Sequence, residues 1–230
     1  MSRTALPRGP EKRRAVEAMF DRVAPGYDRM NRIISLGLDT GWRRRTIAAL
    51  EVPRGARVLD LACGTGDLSA DLFAAGHRPV GVDLSAGMLS AARVDVPLVR
   101  ADAVALPFDD GAFDAVVCGF ALRNFVDLGV VLRESARVLR RGGVIGALDA
   151  AVPERALLRV GNAVWFRGAV PLLGRILSRD PQAYRYLPAS TSYLPGPEAL
   201  VGEFAAAGFA DVDRTTMTGG SVQLLVGTRS

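Results

Sequence analysis

The stretch Val58-Leu59-Asp60-Leu61-Ala62-Cys63-Gly64-Thr65-Gly66-Asp67-Leu68 decides the fold. A short apolar strand runs into a two-glycine turn and then straight into a helix, so a ligand can lie against bare backbone and the helix N-terminus. Several nucleotides would fit that loop. A dinucleotide fingerprint would need a third glycine where Ser69 stands. Asp60 before the glycines and Asp67 after them are awkward for a phosphate and suit an ammonium or sulfonium. Asp83 ends the next apolar run, where it can accept both ribose hydroxyls. Asp102 ends the third, within reach of an adenine amino group. Any one of these acids could be an ordinary helix cap. The set of three at successive strand ends points to S-adenosyl-L-methionine, held by Asp60, Gly64, Thr65, Gly66, Asp83, Leu84, Asp102, Ala103 and Gly119.

Outward from this loop, short apolar runs at 58–62, 79–83, 98–101, 115–118 and 144–148 alternate with helix-like segments at 67–75, 86–93 and 128–139. Such alternation means βαβ units and a mainly parallel sheet. Residues 137–143 read as a helix end with basic side chains and a Gly-Gly turn. A last helix over 197–207 stops at Gly208, and strands near 211–217 and 221–228, joined by Gly219-Gly220, read as an antiparallel hairpin. The pattern predicts an α/β, Rossmann-like, seven-stranded doubly wound sheet with an antiparallel last strand. One domain spans 1–230. Within it, 1–50 reads as a helical lid and 154–192 as a helical insertion covering the substrate site.

With 49% hydrophobic and 23% charged residues in 230, the chain is neither disordered nor a coiled coil. Cys63 and Cys118 are too few for a disulfide framework and lack metal-ligand spacing, so a reducing compartment is expected. The net charge of +5 comes from 29 basic residues, of which only Lys12 is a lysine, a bias of coding kind. Its placement carries more information. Residues 1–57 are net +7 and 155–190 net +5, whereas 58–154 are net −5. A nucleic-acid binder gathers basic and aromatic residues on one stripe. An acidic pocket under a basic, apolar lid suits a lipid substrate collected from an anionic membrane surface instead. The first residues lack the apolar region of a secretory signal, and 160–177 is broken by Arg167, Pro171 and Arg175, so no spanning segment is expected. A cytoplasmic protein with peripheral contact at the inner face of the membrane is the reading, with a homodimer left open.

Further stretches suggest the acceptor: Tyr27-Asp28-Arg29-Met30-Asn31 with Asp39 and Trp42-Arg43-Arg44; Leu122-Arg123-Asn124; Arg137-Val138-Leu139-Arg140-Arg141-Gly142-Gly143 with Asp149; and Tyr184-Arg185-Tyr186-Leu187-Pro188-Ala189-Ser190. With the glycine loop and the turn 106–117, they give the chain a resemblance from about residue 19 to 228 to the ubiquinone/menaquinone biosynthesis C-methyltransferases, which are class I enzymes. The resemblance implies transfer of the methyl group of S-adenosyl-L-methionine to a ring carbon of a polyprenylated quinol. Asp39, where the family more often has His, resembles the actinobacterial menaquinone members and implies demethylmenaquinol as acceptor. A ubiquinone-pathway quinol or a soluble aromatic such as a polyketide is the alternative. Asp149, Ala151 and Arg141 also depart from the family pattern. A nucleic-acid methyltransferase would show an Asn-Pro-Pro-aromatic or Pro-Cys segment after the fourth strand, which is missing here. A cofactor-binding regulator without catalysis is a further alternative.

The chemistry requires a neighbouring quinol hydroxyl to lose its proton so that the ring carbon becomes nucleophilic. Arg123 is expected to stabilise that phenolate, with its proton relayed through water or Asp39; a guanidinium is a poor base, so the base itself is left open. Pairing of Arg123 with Asp127 is the competing structural role. Tyr27 and Asn31 are expected in the lid over the cofactor, and Arg44, or Arg43 beside it, on the methionine carboxylate. His77 reads as a surface residue and the cysteines as buried, inert hydrophobes. Trp165, Phe166, Leu172, Leu173, Ile176 and Leu177 read either as a buried lid or as a surface for the prenyl tail and bilayer.

Overall fold

The computed structural model describes residues 8–170, 172, 186 and 189–230. Tyr184, Arg185, Leu187, Pro188, Leu173, Ile176 and Leu177 therefore lie outside the described residues. The strands β1 (Arg57–Leu61), β2 (Arg78–Asp83), β3 (Leu98–Arg100), β4 (Phe113–Gly119) and β5 (Leu139–Ala150) pair in parallel. The closing hairpin, β6 (Phe209–Met217) and β7 (Val222–Arg229), joins through an antiparallel β5 to β7 pairing. The order β3-β2-β1-β4-β5-β7-β6 is the doubly wound sheet expected from the alternation. The chain winds outward from β1 to β3 and returns to place β4 beside β1, which opens a crevice at the carboxyl ends of those two strands.

Three helices precede the sheet, α1 (Gly9–Val23), α2 (Tyr27–Ile34) and α3 (Asp39–Ala49). Between and after the strands come α4 (Asp67–Ala74), α5 (Ala86–Ala91), α6 (Leu128–Val138), α7 (Ala156–Val164) and α8 (Pro197–Ala206). Their ends follow local chemistry: Ser85 and Asp127 accept from the backbone N–H of Met88 and Val130 as N-caps, and prolines open α1 and α8.

The central strands are buried on both faces, as a parallel sheet requires. Leu59, Leu61, Val116 and Cys118 face the side covered by α6 and α8, through Val131, Leu132, Leu200 and Phe204. Val58, Ala115 and Val117 face Leu50, Leu68 and Leu72. A third cluster joins Met19, Val23, Met30 and Met88 to Val170, with Trp165 and Tyr186 packed against it. It ties the N-terminal helices to the insertion.

Three expectations are corrected. The described residues 8–50 are largely helical, but they are not all a lid: α3 is also a layer on the sheet, packed so closely that a Cβ on Gly146 would lie 2.9 Å from Leu50 Cδ2. Gly142-Gly143 does not form a turn between helix and strand. The helix ends at Val138, the strand begins at once, and Gly142 at φ 70° lies in an irregularity where pairing passes from Phe113↔Leu139 to Ala115↔Val144. His77 is buried, not exposed, and its Nδ1 has no hydrogen-bond partner. The turn from α4 into β2 folds it inward, because its backbone N–H closes that turn on Leu72 O.

Candidate active site

Two cavities open at the carboxyl ends of β1 and β4, one of about 490 Å³ and one of about 340 Å³. They meet at Phe20, Tyr27, Ala62, Gly64, Gly119 and Phe120, which line both. Ala62 and Phe120 hold φ of 57° and 59°. Left-handed backbone at two non-glycine residues is costly, and such strain clusters at functional sites.

The smaller arm is lined by Asp83, Leu84, Asp102 and Ala103, as the strand-end argument expects. Asp83 is fixed by the loop it serves: Gly64 N donates to Oδ2 and Ser85 N to Oδ1, each at 2.8 Å. Burial raises its pKa against those donors. Asp102 meets Arg13 Nη2 at 3.0 Å. Arg13 and Phe20 come from α1, which closes this arm and is pinned by Asp21 accepting from Ser85 Oγ at 2.5 Å and Gly87 N at 2.8 Å. Sequence reasoning missed both Arg13 and Asp21, because nothing in the local pattern of α1 says which helix it will meet.

Where the arms join, the ring of Tyr27 stands over Gly64, and Thr65 Oγ1 donates to Asp28 of α2. Asp60 is buried at the base, with Oδ2 accepting from Ser69 Oγ at 2.6 Å. Burial pushes its carboxyl up to about 7, against the Ser69 hydrogen bond and with the Asp83 charge adding to the rise. Ser69 is thus the partner that holds Asp60. Gly66, expected on the cofactor, lines neither arm. Its φ is 87° and a Cβ there would lie 2.5 Å from Val94 Cγ1, so its work is to turn the chain into α4.

The larger arm holds Asn31, Asp39, Trp42, Arg43 and Arg123. Arg43, not Arg44, faces it; Arg44 is exposed, one residue further round α3. The Arg43 guanidinium meets Asp39 Oδ2 at 2.6 Å, Asp67 Oδ2 at 3.2 Å and Asp71 Oδ2 at 2.6 Å. Asp39 is desolvated, yet hydrogen bonds from Ser35 and Arg43 lower its pKa below the usual carboxylate value. A carboxylate held that way is a weaker proton acceptor than a free one, and it is placed as the anion that orients Arg43.

Arg123 lies on a 3-10 turn, Leu122–Asn124, directly after β4. It does not pair with Asp127, which caps α6. Its Nη1 is bound to Asp149 Oδ1, its amide N donates to Asp149 Oδ2 at 3.2 Å, and its Nε donates to Ser190 Oγ at 3.1 Å. Asp149 is fully buried at the end of β5. It is the fourth strand-end acid, and its place in that series was the signal available in sequence. Tyr186 Oη donates to Asn124 Oδ1 at 3.1 Å on the same turn. Cys63 and Cys118 are buried, and burial pushes both thiols upward, so neither is a nucleophile.

Beyond Arg123 the larger arm becomes apolar, walled by Ile34, Leu148, Val152, Val160, Ala163 and Phe166. Around it lie exposed apolar side chains, Leu157 at 84%, Leu36 at 68% and Val164 at 66% exposure. The helix α7 buries no residue. Among the described residues no helix is long and apolar enough to cross a membrane.

The residues fit a cationic adenosyl ligand: carboxylates stand at the strand ends, and one acid-lined arm joins one apolar arm carrying an arginine. Comparison with known proteins agrees with that geometry. The model of the ubiE/COQ5 methyltransferase family matches residues 9–229. Curated relatives include the demethylmenaquinone methyltransferase of Roseiflexus castenholzii, 43% identical with 92% of each chain covered. That of Mycolicibacterium gilvum is 41% identical over the full length of both. Among solved structures, a SAM-dependent methyltransferase from Thermotoga maritima superposes with a TM-score of 0.68 at 18% identity, covering 94% of this chain and all of that one. At that identity the likeness speaks for the fold alone.

Proposed function

Because the chain belongs to the ubiE/COQ5 methyltransferase family, we propose that it methylates a ring carbon of demethylmenaquinol to give menaquinol. The enzyme is a methyltransferase and its cofactor is S-adenosyl-L-methionine. The observation that carries the choice of acceptor is the joined pair of arms: an acidic one for the cofactor and an apolar one that runs from Arg123 to an exposed apolar rim. A prenylated ring fits the second arm, and the relatives that match this chain throughout are demethylmenaquinone methyltransferases.

When bound, S-adenosyl-L-methionine supplies an electrophilic methyl group on a sulfonium. Asp83 would accept from the ribose, Leu84 and Ala103 would flank the adenine, and Asp102 with Arg13 would close its edge. Asp67, and Asp60 in its ionised form, would face the sulfonium end, while Arg43, fixed by Asp39, would meet the carboxylate of the methionine moiety. Tyr27 and Asn31 cover the junction and exclude water. Arg123, oriented by Asp149 and Ser190, stabilises the phenolate that forms when the quinol hydroxyl ionises. The ring carbon would take the methyl as the methyl–sulfur bond breaks and the neutral thioether leaves; loss of the ring proton would restore aromaticity and a proton would return to the phenolate oxygen, so the net release is one proton per turnover. Preorganisation serves this chemistry, since ring carbon, methyl and sulfur must be in line.

The rim of α7 and the 36–38 turn carry exposed leucines and valines, and Arg32 and Arg155 are exposed beside them. We assign this rim to an anionic bilayer, from which the tail enters the larger arm. Purified enzyme offered demethylmenaquinol, a demethylated ubiquinone precursor and soluble phenols should methylate the first fastest. Equal or better turnover of a soluble phenol would overturn the choice of acceptor.

A further inference from the structure

Lys12 is the chain's only lysine, and it is buried on α1. Its ammonium donates to Arg123 O at 2.9 Å and to Phe125 O at 2.6 Å, and lies 3.8 Å from the centre of the Tyr193 ring. An ammonium has three donors and no acceptor, and two carbonyls and a ring face match that capacity. Burying a cation with no carboxylate partner among the described residues is costly, and desolvation pulls its pKa down to about 8. A methionine or leucine would fill the same space without that cost, so the presence of a charge is explained by what it grips.

What it grips is the turn that carries Arg123. Asp149 holds the amide and guanidinium of Arg123 from one side, and Ser190 holds Nε. Lys12 takes the carbonyl of the same residue, and that of Phe125 two positions on, from the opposite end of the chain. Without that grip the turn would keep its holds from β5, residue 190 and Tyr186 but lose the one that α1 supplies. We propose that Lys12 is a positioning residue for methyl transfer, which sets the angle at which Arg123 enters the acceptor arm by fixing the backbone of its turn. The proposal rests on the reading of Arg123 as the group that stabilises the phenolate.

A double-mutant cycle tests it. Lys12→Met should lower kcat roughly tenfold, the scale of a small misplacement at a reacting centre, with the KM for S-adenosyl-L-methionine unchanged. In an Arg123→Ala background the same substitution should change kcat by no more than about twofold, because the group it positions is gone. Should Lys12→Met fail to fold, Lys12→Gln, which keeps a donor for one carbonyl, serves the same cycle. A loss of equal size in both backgrounds, or a fall in kcat that tracks lowered thermal stability, overturns the proposal. An Arg123→Ala enzyme with wild-type kcat overturns the reading of Arg123 on which it rests.

Discussion

Asp83 and Asp60 are neighbouring carboxylates put to different use by their surroundings. Asp83 offers its remaining lone pairs to the smaller arm, with both oxygens already aligned by backbone amides. Asp83→Ala should therefore raise the cofactor dissociation constant at least about tenfold, or about 1.4 kcal/mol, and calorimetry reads it; unchanged affinity would remove Asp83 from the ribose. Asp60 is held by burial near 7, above its ordinary value of 3.8. The folded protein then retains a proton that the unfolded chain releases, so its contribution to stability falls as pH rises from about 4 through about 7 and is flat above. Asp60→Asn should flatten that part of the curve in denaturant titrations, and an unaltered slope would contradict the assignment. The acids were legible because strand ends are legible. Their partners Ser69, on Asp60, and Arg13, on Asp102, were not, since each arrives from another element and no spacing announces it. Arg43 could have been chosen over Arg44 from the Asp39 to Arg43 separation of four, which puts both on one helix face.

The elements followed the alternation closely, because a strand buried on both faces leaves a short, continuous apolar run that few other structures tolerate. The departures lie where the chain must choose between turn and strand. Gly142-Gly143 has the composition of a turn, yet the pairing of Leu139 and Val144 with β4 on either side of it, and of Val144 onward with β7, keeps it within β5. At the start of α4, by contrast, Gly66 obeys local chemistry. Gly66→Ala should cost about 2 kcal/mol or more, from positive φ and contact with Val94 together, in urea unfolding; a smaller loss would show that the loop relaxes. The apolar insertion reads in sequence either as a buried lid or as a surface, and its described residues divide: Trp165 and Phe166 pack on the N-terminal cluster while Leu172 is exposed, as are Leu157 and Val164 on α7 before it. The Leu157→Asp/Val164→Asp pair should weaken binding to vesicles of phosphatidylglycerol by roughly tenfold while leaving cofactor affinity intact. Sedimentation with vesicles measures it, and undiminished binding would move the membrane contact elsewhere.

At the scale of the protein, the charge asymmetry noted in the sequence has become an arrangement. Acids gather at the carboxyl ends of the strands, and the basic segments supply the groups that close over them: Arg13 on Asp102, Arg43 on three aspartates, Lys12 on the Arg123 turn. The fold could be read from one loop and its periodic surroundings, but the site could be read only in part, because it is completed by segments far apart in sequence. The substrate proposal joins all of these features, and one mass spectrum decides it. Quinones extracted from a menaquinone-deficient host that accumulates demethylmenaquinone should, once the chain is expressed, gain the mass of one methylene group. If demethylmenaquinone persists although the protein is folded and binds S-adenosyl-L-methionine, its acceptor is another molecule.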